Sequence, residues 1–227
     1  MEGFPIVVRE KEIQQDMYYK NTLILSYTIK YPKFVSSTFH ALAHKLNTLY
    51  RTKAVMYEKS NIMNLYQMAM VEYEYSISNH FPVHQFEAYV TYVVTYNQSC
   101  ALSLYFDQYE YTGGAHGLTV RTSDTWDLQR SRRMELADFF PNRSDPKEFI
   151  VQSIIKQMKD QISEGDSFYF EDYDKLVEDN FKRNNFYLSK EGLVLYFQQY
   201  DIAPYAAGLP TFVIPYGTGG ALMPRCY

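Results

Sequence analysis

The order of hydrophobic patterns in this chain predicts an α+β fold of antiparallel sheets with flanking helices in two consecutive subdomains. Long runs of period two stand next to one another in the middle of the chain, and a Gly- and Pro-free helical stretch precedes them. More helices and then a hairpin follow. Strands and helices therefore come in blocks, without the βαβ alternation that builds a parallel sheet.

The first strand runs from Thr22 to Tyr31, where Leu23, Leu25, Tyr27 and Ile29 alternate with Ile24, Ser26, Thr28 and Lys30, and Pro32 ends it. Ser36 or Ser37 then caps a helix that carries Phe39, Leu42, Ala43, Leu46, Leu49 and Tyr50 on one face. Residues 52–75 continue as a second helix or a bent continuation of the first. After Phe81-Pro82 a long strand places Phe86, Ala88, Val90, Tyr92, Val94 and Tyr96 on one face, and Asn97-Gln98-Ser99 turns it into a strand from Ala101 to Glu110. The next strand, Leu118 to Trp126, should set Leu118, Val120 and Trp126 on one face. A short helix follows at Glu135–Phe140. Asp145-Pro146-Lys147-Glu148 then opens a longer helix that stops near Gly165. A short helix around Tyr173–Phe181, a hairpin about Lys190-Glu191-Gly192 and a last strand at Thr211–Pro215 complete the order.

Hydrophobic content of 46% and charged content of 21% place the chain among globular proteins, far from disorder. With 22 basic against 26 acidic residues the net charge is −4, where a general nucleic-acid binder carries a basic excess. The local cluster Arg130, Arg132 and Arg133 is expected to be a solvated loop. There are 23 Tyr and 15 Phe beside one Trp, an aromatic load that serves half-buried sheet faces, interfaces and sugar platforms alike. Neither a signal-peptide pattern nor an apolar run long enough to span a bilayer is visible, so a cytoplasmic location is expected, with a spore or extracytoplasmic one as the alternative. Cys100 and Cys226 are too few for a disulfide framework and are expected to be reduced.

One segment stands out: Tyr109-Glu110-Tyr111-Thr112-Gly113-Gly114-Ala115-His116-Gly117, a polar aromatic run that ends in glycines where the chain must turn between two strands. His116 is expected to hydrogen-bond this turn and hold the strands in register; a general acid–base role would need Asp107, Glu110 or Asp124 beside it. No nucleophile signature accompanies it, and nothing in the sequence calls for a cofactor. His40/His44 and His80/His84 have the i, i+4 spacing of metal ligands. However, Ala41 stands where a zincin helix needs Glu, the first pair should face water, and Pro82 breaks the second, so no metal site is expected. Ala203-Pro204-Tyr205-Ala206-Ala207-Gly208 is a restrained loop around one aromatic ring, as fit for an interface anchor as for a packing plug. Gly217 to Ala221 is expected to be flexible tail.

Together with Ser123-Asp124-Thr125-Trp126-Asp127-Leu128, the Gly192–Phe197 strand and Tyr200–Gly208, the nonapeptide resembles the paired domains of the extracellular part of RsiV-type anti-sigma factors and of PdaC-type peptidoglycan deacetylases. The resemblance runs from about Tyr18 to Ile214 and implies a PdaC-like subdomain at 1–114 and an RsiV-like one at 115–227. It implies a non-enzymatic binding or sensing module whose partner is a lysozyme-like protein or peptidoglycan, with Tyr111, Gly113, Gly114, His116, Pro204 and Tyr205 as the binding residues. A cytosolic or spore-associated protein using the scaffold for another partner is the second reading, and a hydrolase acting through His116 the third.

Overall fold

The computed structural model describes residues 6–141, 145–165, 168–217 and 219–226. It is α+β, as the patterns predict: a six-stranded sheet in the order β1 (Val7–Tyr19), β2 (Thr22–Val35), β3 (Phe86–Gln98), β4 (Ala101–Tyr111), β5 (Leu118–Asp127), β6 (Arg132–Arg133), and a three-stranded antiparallel sheet of β7 (Phe186–Leu188), β8 (Gly192–Tyr196) and β9 (Thr211–Pro215). Contacts divide the chain into a first unit, Ile6–Tyr92 with Phe106–Val120, and a second, Val93–Tyr105 with Arg121–Tyr227. The division crosses β3, β4 and β5, and the position between Gly114 and Ala115 falls inside the first unit. No helix of the described residues is long and apolar enough to cross a membrane.

In the first unit, β1 and β2 form a hairpin whose two turn residues, Lys20 and Asn21, both have positive φ. That geometry matches the right-handed twist of the strands it joins. Helix α1 (His40–Tyr57) follows, and the Ser36 hydroxyl accepts the Phe39 N–H at its entry. It buries Leu42, Ala43, Leu46, Tyr50, Ala54 and Tyr57, a helical period aimed at the sheet. The bent continuation proves to be a π-helical turn, Glu58–Ile62, which leads into α2 (Met63–Asn79). Helix α2 ends with His80 in the left-handed conformation, its N–H on the Ile77 carbonyl and the Phe81 N–H on that of Ser76, a Schellman closure. The chain then returns in parallel with β2, Leu25 facing Phe86 and Ile29 facing Val90. This one parallel crossover departs from the purely antiparallel expectation; a long helical connection between neighbouring strands permits it.

Two further differences have local causes. Pro32 does not end β2, which runs to Val35, because pairing with β3 stops at Ile29 and leaves that edge without a strand for Pro32 to offend. The edge is closed instead by Asn47 on α1, whose amide accepts the Phe34 N–H (2.7 Å) and donates to the Phe34 carbonyl (2.9 Å). In β5, Leu118 and Val120 are exposed while Trp126 is buried, so the three do not share a covered face. They fall in different units.

The second unit packs α3 (Lys147–Glu164) and the short α4 (Tyr173–Asn180) with the three-stranded sheet around Ile150, Ile154, Met158, Leu193, Leu195 and Phe212. Asp145 accepts the Lys147 N–H at the start of α3, and Gly165 at φ 79° closes its end. Strand β7 would be an open edge, but hydroxyls from β4 and β5 pair it. Ser103 accepts the Leu188 N–H (2.9 Å) and bonds Thr125 (2.8 Å), while Ser123 donates to the Phe186 carbonyl (2.6 Å). All three are nearly or fully buried. The tail is also built in: Ala221 is fully buried and donates to the Pro215 carbonyl, which corrects the expectation of a flexible end.

Ser103→Ala and Ser123→Ala each strand a buried backbone group of β7, and each should cost about 1–3 kcal/mol of stability. Urea unfolding of the two variants checks this, and midpoints equal to the parent's would show that β7 does not depend on these hydroxyls.

Candidate functional site

The nonapeptide closes β4 onto β5 within the first unit. Gly113 and Gly114 take φ of 89° and 94°, values that side chains rarely adopt, and the Tyr111 hydroxyl donates to the Gly114 carbonyl across the turn (3.1 Å). Gly117 is buried for a different reason. A Cβ there would lie 2.6 Å from the Glu110 carbonyl oxygen and would strike the ring of Tyr109. The glycine is thus the floor on which Tyr109 lies.

That ring stacks on Tyr89 of β3, with centroids 6.1 Å apart and planes 27° from parallel, and Tyr89 is 38% exposed. Beside Tyr89 an open groove of about 450 Å³ is lined by Gln14, Asp16, Ser26, Thr28 and Gln85. A polar relay crosses it: Gln85 Nε2 donates to Ser26 Oγ (2.9 Å), which donates to Asp16 Oδ1 (2.6 Å). Beneath the sheet, the Tyr57 hydroxyl donates to Glu110 (2.6 Å), anchoring the strand that carries Tyr109, and that of Tyr27 donates to Glu58 (2.7 Å), anchoring β2. Burial foremost, and then the neighbouring carboxylates, push both tyrosine hydroxyls far above their ordinary ionisation range.

Tyr111, Gly113, Gly114 and His116 therefore sit together on one turn, while Pro204 and Tyr205 lie in the second unit. His116 is exposed, and its Nδ1 lies 3.1 Å from the carbonyl oxygen of Gly117. Tyr205 opens a short 3₁₀ turn, Tyr205–Ala207, is half-buried, and tilts against exposed Tyr200 at 6.2 Å. His40, His44, His80 and His84 are exposed. The basic cluster is neutralised locally: Arg130 pairs with Asp127, Arg132 bidentately with Asp138, and Arg133 with buried Asp124. Arg132 holds the Asp138 carboxyl below the usual carboxylate range.

The cysteines correct the sequence reading. Cys100 and Cys226 are joined in a disulfide, their Cα atoms 5.1 Å apart across 126 residues. Folding brings them together: Cys100 ends the two-residue turn between β3 and β4, where Ser99 and Cys100 both have positive φ, and the built tail returns to that turn.

Sequence reasoning missed the groove, because β1 supplies Gln14 and Asp16 and was not recognised as a strand. One signal was present in β3: Tyr89 alternates with Glu87 and Thr91 on the face opposite Phe86, Ala88 and Val90.

Three comparisons locate the chain among known proteins. A family model described as deacetylase PdaC matches residues 19–119, and one described as a protein of unknown function, DUF3298, matches residues 137–217. The peptidoglycan-N-acetylmuramic acid deacetylase PdaC of Bacillus subtilis is 26% identical over 120 residues, 52% of this chain and 25% of the enzyme, so the match spans about a quarter of that relative's length. Among solved structures, a DUF3298 family member from Bacteroides fragilis superposes with a TM-score of 0.73 at 22% identity, covering 93% of this chain and 90% of that one. A DUF3298 family protein from Pseudomonas aeruginosa gives 0.59 at 17%, covering 94% and 92%. These two likenesses establish the fold.

Two outcomes follow from this geometry. Gly117→Ala should lower the unfolding free energy by about 1–3 kcal/mol and alter the tyrosine near-UV dichroism, whereas His116→Ala, at an exposed position, should cost less than about 1 kcal/mol. Equal costs would show that the ring does not rest on the glycine. Tyr27 and Tyr57 bind their protons more tightly when folded, so the stability they contribute is complete below the unfolded tyrosine pKa of about 10 and is lost as pH rises above it. Chemical denaturation between pH 8 and 11.5 should show that decline, and Tyr27→Phe with Tyr57→Phe should flatten it.

Proposed function

From a chain that carries a PdaC-like segment followed by a DUF3298 segment, we propose a non-enzymatic module that binds the bacterial cell wall, through its polymer or through a wall-associated enzyme such as lysozyme. The observation that carries this reading is the tyrosine pair beside a hydrogen-bonding groove, set up by the nonapeptide. Rings offer a flat apolar face, and amides, hydroxyls and a carboxylate offer donors and acceptors around it; polyhydroxylated ligands need both. The name of the Bacillus relative supplies the direction, since it is a deacetylase of peptidoglycan. Its chemistry is not carried over from a match that spans a quarter of the enzyme.

Lysozyme-like proteins are the second ligand class, and the Tyr200–Tyr205 pair favours a protein contact in the second unit. Tyrosine loses little rotamer entropy on binding, and prolines on both sides hold the loop. The Cys100–Cys226 disulfide supports an extracytoplasmic site of action, because such bonds persist where the compartment is oxidising.

Co-sedimentation with purified peptidoglycan sacculi, alongside capture on immobilised lysozyme, tests the proposal. Binding to sacculi supports the polymer reading. Binding to lysozyme alone, weakened about thirtyfold by Tyr205→Ala with the fold intact, supports the protein reading. Binding to neither overturns both. For the location, mass spectrometry of the protein alkylated in cells should find no free thiol, and reduction should lower stability by about 3–5 kcal/mol. Free Cys100 and Cys226 in cells would place the protein in a reducing compartment.

A further inference from the structure

We infer that the Tyr89 groove of the first unit is a subsite for an amino-sugar chain whose amines are free and protonated, in preference to the N-acetylated form. This rests on the wall-binding reading and names the ligand class for its site.

The inference starts from register. In the β1–β2 pairing Glu12 faces Lys30, Gln14 faces Thr28 and Asp16 faces Ser26; in β2–β3 Ser26 faces Glu87 and Thr28 faces Tyr89. Residues directly paired across neighbouring strands share a face of the sheet. One surface therefore carries the carboxylates of Glu12, Asp16 and Glu87 around the exposed ring of Tyr89. The cation among these positions is Lys30, which is bound to Glu10 at 2.9 Å and also feels Glu12. Asp16 and Glu87 both act on Tyr89: burial raises its hydroxyl pKa first, and the charge on Glu87, Tyr109 and Asp16 adds to that.

A ligand that stacks on this ring thus meets the carboxylates of Asp16 and Glu87 together in the neighbouring row, on either side of Ser26. An acetamido group would place an uncharged methyl and carbonyl where the carboxylates lie. A primary ammonium on the same carbon would instead donate to them, and the Gln85–Ser26–Asp16 relay already orients one of the acceptors. Sugar rings also suit the site's shape, a groove of about 450 Å³ open along the sheet and lined by Tyr89, which is stacked on Tyr109 behind it.

The test uses hexamers of β-1,4-linked glucosamine and of N-acetylglucosamine, titrated into the intact chain by calorimetry at pH 6 and low salt, with hexalysine as a charge control. The glucosamine hexamer should bind about five- to thirtyfold more tightly than the acetylated one, the effect of two partly exposed charge pairs. Asp16→Asn with Glu87→Gln should abolish that preference, and Tyr89→Ala should weaken both sugars. Equal affinities, a preference that survives the double variant, or hexalysine binding as tightly as the sugar would overturn the inference. Sedimentation separates the two levels: protein that binds sacculi, yet binds fully N-acetylated and chemically deacetylated sacculi alike, keeps the wall reading and loses this one.

Discussion

Every strand end and sheet edge in this chain must find partners for its backbone groups, and side chains supply them where no strand is available. Asn47 pairs both backbone groups of Phe34 at the edge of β2, and Gln198 does the same for Arg121, accepting its N–H (2.8 Å) and donating to its carbonyl (2.7 Å). Ser103 and Ser123 serve β7. A primary amide suits the task because its oxygen and NH₂ present the same acceptor and donor pair as a peptide unit. In β7 the two backbone groups belong to different residues, so two serines serve them, one for the Leu188 N–H and one for the Phe186 carbonyl. These hydroxyls tie β7, in the DUF3298-like segment, to β4 and β5, beside the apolar cluster that packs Ala101 with Leu188 and Leu193.

This explains why the fold class was legible and parts of its execution were not. Periods of two and 3.6 report which faces are buried, and they located β3, β4, α1 and α3 to within a few residues. Strand β1 carries Arg9-Glu10-Lys11-Glu12 and Gln14-Gln15-Asp16, an edge strand protected by charge with no covered face to create a period. Its hairpin also turns through Lys20-Asn21 in place of the Asn-Gly that marks such turns in sequence. The disulfide was illegible for a different reason: nothing local records that residues 126 apart will meet, and the tail that brings Cys226 home looked like a glycine-rich loose end.

The nonapeptide was found from its glycines, but the reason assigned to it was incomplete. His116 drew attention as the residue with chemistry, yet it is exposed, while Gly117, with no chemistry, is buried and cannot be replaced without striking Tyr109 and the Glu110 carbonyl. A motif of this kind specifies the shape of a surface, and its effect is read one residue removed, in the ring that the glycine admits.

That has a consequence for how such a surface works. Tyr109 is held from below by Gly117 and along its own strand by the Tyr57–Glu110 bond, and it in turn supports Tyr89. Two rings fixed in this way lose little freedom when a ligand stacks on them, so in the proposed wall binding weak contacts with each sugar unit would not be offset by an ordering cost. A polymer multiplies the advantage, because one chain presents many equivalent units and each released contact can be remade by its neighbour. Modest affinity per subsite with high retention on an insoluble wall is therefore what the proposed binding would draw from a rigid, shallow, open groove, where a deep pocket would give the reverse.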